Sequence, residues 1–304
     1  MTGRPDLEDG PLFAVGAAIF GELEPADVEL VAALGFPGLE PYRQWLGSYL
    51  ERPREFRRLL ESCGVRMATC SNGGAGQSMD FIDPERRGRT VADHLRFARE
   101  FLAEVGCAHF KINLGERPRG GTSEADLQSI AAALDELGRG TAELGLRLAP
   151  HPHIWGPVER PEEIRRLLEL TDPELVSLTL DTAHVVLGGG DPLEFLDGHW
   201  DRIAALHWKD VEPAYRGHTG PTPTREQHQA SCLYRDLGAG GVDLAGVWRR
   251  VVDRGYRYWI TLDLDPPRAS EGEGSVEDKL HRNREHLHGE LGVLPAGRHE
   301  GGWA

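Results

Sequence analysis

Histidines and carboxylates in this chain gather where short apolar runs stop. Asp181 and His184 stand just after Leu178-Thr179-Leu180, within LTLDTAHVVLGGGD at 178–191. His207 leaves another apolar run in AALHWKDV at 204–211 and is followed by Lys209 and Asp210. Other runs end in Glu40, in Lys111, in His151 and His153, and in Asp263 and Asp265. Adjacent strand residues point to opposite faces, so His151 can share an orientation with His153, and Asp263 with Asp265. Polar groups are costly to bury unpaired, so this many at the ends of apolar strands describe a site and not a core. Two imidazoles and two carboxylates from four strands suit a divalent cation with positions left open for a substrate. Mn²⁺ is the first expectation, with Co²⁺, Fe²⁺, Zn²⁺ or Mg²⁺ as alternatives. Such an ion polarises a carbonyl and its adjacent hydroxyl, and a nearby base then removes the proton beside that carbonyl.

The elements that must position these residues alternate along the chain. Apolar runs at 12–20, 39–42, 65–70, 107–114, 146–149, 175–180, 203–208 and 258–264 read as strands. Helical patterns at 24–34, 53–63, 89–105, 123–144, 161–170, 191–196, 242–254 and 275–291 follow them in turn. Pro53 opens one helix and Gly64 closes it, while Ser-Glu-Ala-Asp from Ser123 is a capping-box-like start. The strands are apolar throughout, as in a parallel sheet covered by helices. No GxGxxG follows the first strand, so a dinucleotide fold has no fingerprint here. The pattern predicts an α/β protein, a single (β/α)8 TIM barrel domain over 1–304, with flexible tails at 1–11 and 295–304. In that fold, catalytic groups sit where strands end.

With 39% apolar and 27% charged residues, the composition is globular. A net charge of −15 argues against nucleic acid and anionic membrane partners, which need a basic footprint. The polar start MTGRPDLEDG carries no signal-peptide core, and no apolar run approaches a membrane span, so a cytoplasmic protein is expected. Cys63, Cys70, Cys107 and Cys232 form no CxxC pair and read as free, buried thiols. The connection at 211–241 is long for a barrel, which suits a lid or an oligomer contact. Arg216 or Arg225 within it could clamp an anionic group, whereas His218 and His228 read as solvated.

LDTAH at 180–184, the GGGDP that follows, HWKD at 207–210, LGAGGVD at 237–243 and GYRYWITLDLD at 255–265 resemble the xylose isomerase-like barrel superfamily. Within it, the chain is most similar to the sugar phosphate isomerase/epimerase group and to myo-inosose dehydratases. The motifs cover the chain from Leu146 onward, and the first half agrees by pattern. The resemblance implies a metal held from strands five to eight by Glu, Asp, His and Glu, which fall here on His151, Asp181, His207 and Asp263. A His-rich strand-five stretch, here APHPH, ties the chain to the dehydratase branch. His184 matches a substrate-facing histidine and Lys209 a lysine common in the group. We therefore place His151, His153, His184 and Lys209 in catalytic roles, with Glu40, Lys111, Arg216 and Asp265 about the substrate. Epimerases of the superfamily are implied to use both metal-bound glutamates as a facing acid/base pair, and neither position is Glu here. That favours one-sided proton abstraction followed by loss of water. The expected function is a divalent-metal-dependent lyase or isomerase acting on a polyhydroxylated ketone, an inosose or keto-sugar, with a homo-oligomer as an option. The alternatives are a sugar epimerase/isomerase, an Fe²⁺ oxygenase and a non-catalytic sugar-binding barrel.

Overall fold

The computed structural model describes residues 11–73 and 79–293; the expected tails fall outside these residues, apart from Pro11. Its strands, in chain order, are β1 (Leu12–Gly16), β2 (Gly38–Glu40), β3 (Arg66–Met67), β4 (His109–Ile112), β5 (Arg147–Pro150), β6 (Leu178–Asp181), β7 (Ile203–Trp208), β8 (Asp210–Val211), β9 (Tyr234–Arg235) and β10 (Trp259–Leu262). One parallel ladder runs β3-β2-β1-β10-β7-β6 and another joins β4 to β5. Single parallel bridges, Ser71 with Lys111 and Leu148 with Val176, close the two into a barrel. β8 and β9 pair antiparallel outside it. Register places Asp181 beside His207, and His207 beside Thr261, at the C-terminal ends of β6, β7 and β10.

Helices at Pro53–Cys63 and Pro161–Leu170 form where expected, each opened by proline at its first position. The helix expected at 89–105 begins earlier, at Pro84, because the Asp83 carboxylate accepts from the Glu85 N–H, and a π turn at Ala98–Leu102 extends it. Asp181 also caps: its Oδ1 accepts from the His184 N–H at 2.9 Å and starts a short helix, Thr182–Leu187, where only a turn was expected. This cap fixes Asp181 and His184 relative to each other. The long connection holds β8, β9 and a helix at Arg225–Ala230. Its base is gathered by Asp210, whose carboxylate accepts from the N–H groups of Val211, Gly238, Gly240 and Val242 at 2.8–3.1 Å. All four cysteines are free, and Cys63 is only partly buried. Among the described residues, no helix is long and apolar enough to cross a membrane.

At the opposite end of the barrel, Trp259 packs with Ala14 and Ala68. Gly38 leaves room for that indole: a Cβ there would lie 2.3 Å from the Trp259 ring and 2.9 Å from the Ala14 methyl. Overpacking of this kind costs about 1–3 kcal/mol or more. Gly38→Ala is expected to lower unfolding free energy by about 2 kcal/mol or more in urea titrations followed by circular dichroism.

Candidate metal centre

Five buried side chains meet at the C-terminal end of β5, β6, β7 and β10: His151, Asp181, His184, His207 and Asp263, each no more than 5% exposed. One donor atom from each of His151, Asp181, His184 and Asp263 lies within 4.8 Å of the others. His207 joins them, with Nδ1 3.7 Å from Asp181 Oδ2 and 3.2 Å from Asp263 Oδ2. Around Asp181 Oδ2 also stand His151 Nε2 at 3.6 Å and His184 Nε2 at 3.8 Å. The 3.6–3.8 Å separations about Asp181 Oδ2 are too long for hydrogen bonds, whereas His207 Nδ1 is within reach of Asp263. Among the described residues, Asp181 Oδ2, His151 Nε2 and both ring nitrogens of His184 are buried without a hydrogen-bond partner. Buried polar atoms are rarely left so, and imidazole nitrogens converging on a carboxylate oxygen form the donor set of a divalent cation.

The protonation pattern follows from what surrounds the cluster. His207 Nε2 lies 2.9 Å from Glu40 Oε2, and Glu40 is ion-paired with Lys111. Burial opposes the Glu40 charge, but His207 and Lys111 together bring its pKa down to about 2. Burial likewise disfavours charge on His207, yet Glu40 and Asp263 raise its pKa to about 8. Burial and then the Asp263 charge raise Asp181 to about 6. Asp263 stays well below the carboxylate range because Lys209 and His207 outweigh its burial. Lys209 Nζ lies 3.5 Å from Asp263 Oδ1 and 2.8 Å from Asp265 Oδ1, and these carboxylates keep it protonated against burial. Burial keeps His151, His153 and His184 neutral, His153 at about 4.

Glu40 and Lys111, expected about the substrate, are buried in the barrel, where their polar contacts are with each other and with His207. Asp265, half-buried, reaches the cluster through Lys209. His153 is half-buried; its Nδ1–H donates to the Ile154 carbonyl and its ring lies 3.7 Å from that of His184. Beside it, a cavity of about 210 Å³ is lined by Asn113, His151, His153, Trp155 and Arg225. Trp155 Nε1 donates to the Pro223 carbonyl at 2.7 Å, pinning the long connection over this cavity, and the Arg225 guanidinium sits 4.8 Å above the Trp155 ring. Arg216 is not brought to the cluster: it is exposed and donates to the Gly240 carbonyl. His218 bonds the Pro221 carbonyl within its loop. His228, expected to be solvated, is partly buried between Trp155 and Tyr234. A larger cavity, about 880 Å³ beside Arg54 and Glu104, contains none of these residues. The residues missed from sequence are Tyr234, whose ring lies 4.2 Å from Lys209 Nζ, and Asn113, which contacts His151 Nδ1.

A barrel whose strand ends carry this cluster agrees with the match of residues 28–285 to the family model described as xylose isomerase-like TIM barrel. The chain belongs to the xylose isomerase-like TIM barrel family. Among curated members it is similar to inosose dehydratases. It is 29% identical to that of Geobacillus kaustophilus (strain HTA426) over 253 residues, covering 77% of this chain and 78% of that protein. It is 29% identical to that of Salmonella typhimurium (strain LT2) over 304 residues, covering 92% and 87%. The match to that of Lacticaseibacillus casei is 30% identical but covers only 54% of the relative. Solved barrels of the same fold include the IolI protein with a zinc atom bound, with TM-score 0.72, 16% identity and 91% and 97% coverage of the two chains. Another is D-psicose 3-epimerase from Clostridium cellulolyticum H10, with TM-score 0.74, 15% identity and 94% and 100% coverage.

A cation held by Asp181 and His207 would have to displace the protons on these two groups. Both pKa values are raised, so both groups retain protons as pH falls and compete with the metal. Zn²⁺ affinity measured by calorimetry is expected to be highest above pH 8 and to fall by up to about tenfold per pH unit between 8 and 6, more steeply below 6. An affinity flat from pH 8 to 5 would contradict this.

Proposed function

We propose that the chain is a divalent-metal-dependent dehydratase acting on a polyhydroxylated ketone of the inosose type. The observation that carries the reading is the buried pair His151 Nε2 and Asp181 Oδ2, unpartnered among the described residues and facing each other at 3.6 Å, with a neutral histidine pair, His153 and His184, beside it. Similarity to inosose dehydratases over most of the chain supports the substrate class. In this reading His151, Asp181, His207 and Asp263 hold the metal. When bound, the cation serves as a Lewis acid toward a carbonyl and its neighbouring hydroxyl.

The remaining chemistry falls to side chains. Lys209, kept charged by Asp263 and Asp265, orients substrate oxygens and compensates negative charge. His153 donates its Nδ1–H to Ile154, which leaves the Nε2 lone pair free to act as base. It takes the proton from the carbon next to the carbonyl. The C–H electron pair becomes an enol double bond, the hydroxyl on the following carbon departs, and the proton on His153 leaves with it as water. One imidazole on one side serves both steps. His184, beside His153, contacts a substrate hydroxyl. An epimerase needs two acid/base groups on opposite faces of the substrate. Here one of those positions, Asp263, is bound to Lys209 and His207. The barrel works as a single domain on a small diffusible substrate in the cytoplasm, with no nucleic acid or membrane partner.

The test is incubation with an inosose and Mn²⁺, Co²⁺ or Zn²⁺, with product followed by mass spectrometry for loss of one water. His153→Gln is expected to lower turnover at least ~100-fold while Zn²⁺ still binds. His207→Ala is expected to lose Zn²⁺ binding, whereas His184→Ala keeps it and loses turnover. Exchange of the substrate proton with solvent deuterium, with no loss of water, would replace the dehydratase reading by an isomerase or epimerase.

A further inference from the structure

We propose that Asn113 is a positioning residue: it fixes His151 as the Nδ1–H tautomer, so that Nε2 turns its lone pair toward Asp181 and a bound cation. The inference rests on the metal reading above. Asn113 follows β4, and its Oδ1 lies 3.1 Å from His151 Nδ1 while its Nδ2 donates to Ser71 Oγ at 2.9 Å. Its backbone is clasped at two points by Asn72. The Asn113 N–H donates to Asn72 Oδ1 at 2.6 Å, and the Asn113 carbonyl accepts from Asn72 Nδ2 at 3.1 Å. A backbone N–H can only donate and a carbonyl can only accept, so the Asn72 amide has one orientation. Its Nδ2 also donates to His94 Nε2 at 2.7 Å, which leaves His94 Nδ1–H to donate to the Thr90 carbonyl at 2.7 Å. The Asn113 backbone is therefore held by a buried network that reaches back to the helix Pro84–Phe97, while its carboxamide spans Ser71 and His151.

The other end of His151 shows what this orientation is for. Its Nε2 is buried, has no hydrogen-bond partner among the described residues and lies 3.6 Å from Asp181 Oδ2. A proton on Nε2 would draw that pair to hydrogen-bond distance, about 2.7–3.2 Å. A proton on Nδ1, accepted by Asn113, leaves two acceptors facing across a gap suited to a cation. His207 is held by a carboxylate, Glu40, whereas His151 is held by a neutral carboxamide that adds no charge. Outer partners of this kind set ligand tautomer, and their loss costs about 10- to 100-fold in metal affinity.

The experiment is ¹⁵N–¹H NMR of the metal-free, histidine-labelled protein, with His151 assigned by the signal lost in His151→Gln, and Zn²⁺ calorimetry on Asn113 variants. The expected result is Nδ1–H for His151 in the wild type. Asn113→Leu is expected to give a tautomer mixture and about 10- to 100-fold weaker Zn²⁺ binding with an unchanged circular dichroism spectrum, and Asn113→Asp, which keeps the acceptor oxygen, to restore the tautomer. An Nε2–H tautomer in the wild type, or wild-type Zn²⁺ affinity in Asn113→Leu, would overturn the assignment. Should Asn113→Leu not fold, the wild-type tautomer decides. A wild-type protein that binds no Zn²⁺ would sink the metal reading, while the metal-free spectrum would still judge Asn113.

Discussion

A single buried oxygen, Oδ2 of Asp181, sets the terms for this structure. Three imidazole nitrogens face it at 3.6–3.8 Å, none within hydrogen-bond reach. A carboxylate in such surroundings must be protonated, paired or bound to a cation. Burial, and then the neighbouring Asp263, which keeps its own charge through Lys209, push Asp181 toward protonation. The other oxygen of Asp181 caps the helix Thr182–Leu187, so the carboxylate cannot swing away without undoing the turn that carries His184.

The groups outside the cluster point its members inward. Glu40, made strongly acidic by His207 and Lys111, receives the Nε2–H of His207 and leaves Nδ1 toward the two aspartates. Lys209 stands between Asp263 and Asp265. Parallel strands in register bring these residues together from β2, β4, β6, β7 and the end of β10. The long connection then covers them, anchored at its base by Asp210 and over the cavity by Trp155. The family match places the barrel among the xylose isomerase-like TIM barrels, while His151 and Asp263, at the ends of β5 and β10, narrow the chemistry we propose.

Much of this was legible in the sequence, because apolar strands ending in His, Asp or Glu are a pattern that barrel geometry turns directly into proximity. That pattern alone predicts that His151, Asp181, His184, His207 and Asp263 meet at one end of the barrel, as they do. Pairings were harder to read. Glu40 and Lys111 are charged strand-end residues and looked like substrate contacts; only the fold shows them neutralising each other beneath His207. Asn113 gave no signal, since a neutral amide near a strand end is ordinary until a histidine is seen against it. His228 looked solvated because its loop is polar, and its packing depends on Trp155 and Tyr234, far from it in sequence or on another element. The helix after Asp181 was hidden by its length of six residues, and the cap that starts it comes from a side chain already given another role.

The central claim is that His151, Asp181, His207 and Asp263 surround one cation. Anomalous diffraction from crystals grown with Zn²⁺, recorded on both sides of the zinc edge, addresses it directly. The account predicts one strong peak among His151 Nε2, Asp181 Oδ2, His207 Nδ1 and an Asp263 oxygen, at ordinary zinc–ligand distances of about 2.0–2.2 Å. A barrel end with no peak, or a peak held by other residues while these four keep their separations, would contradict it.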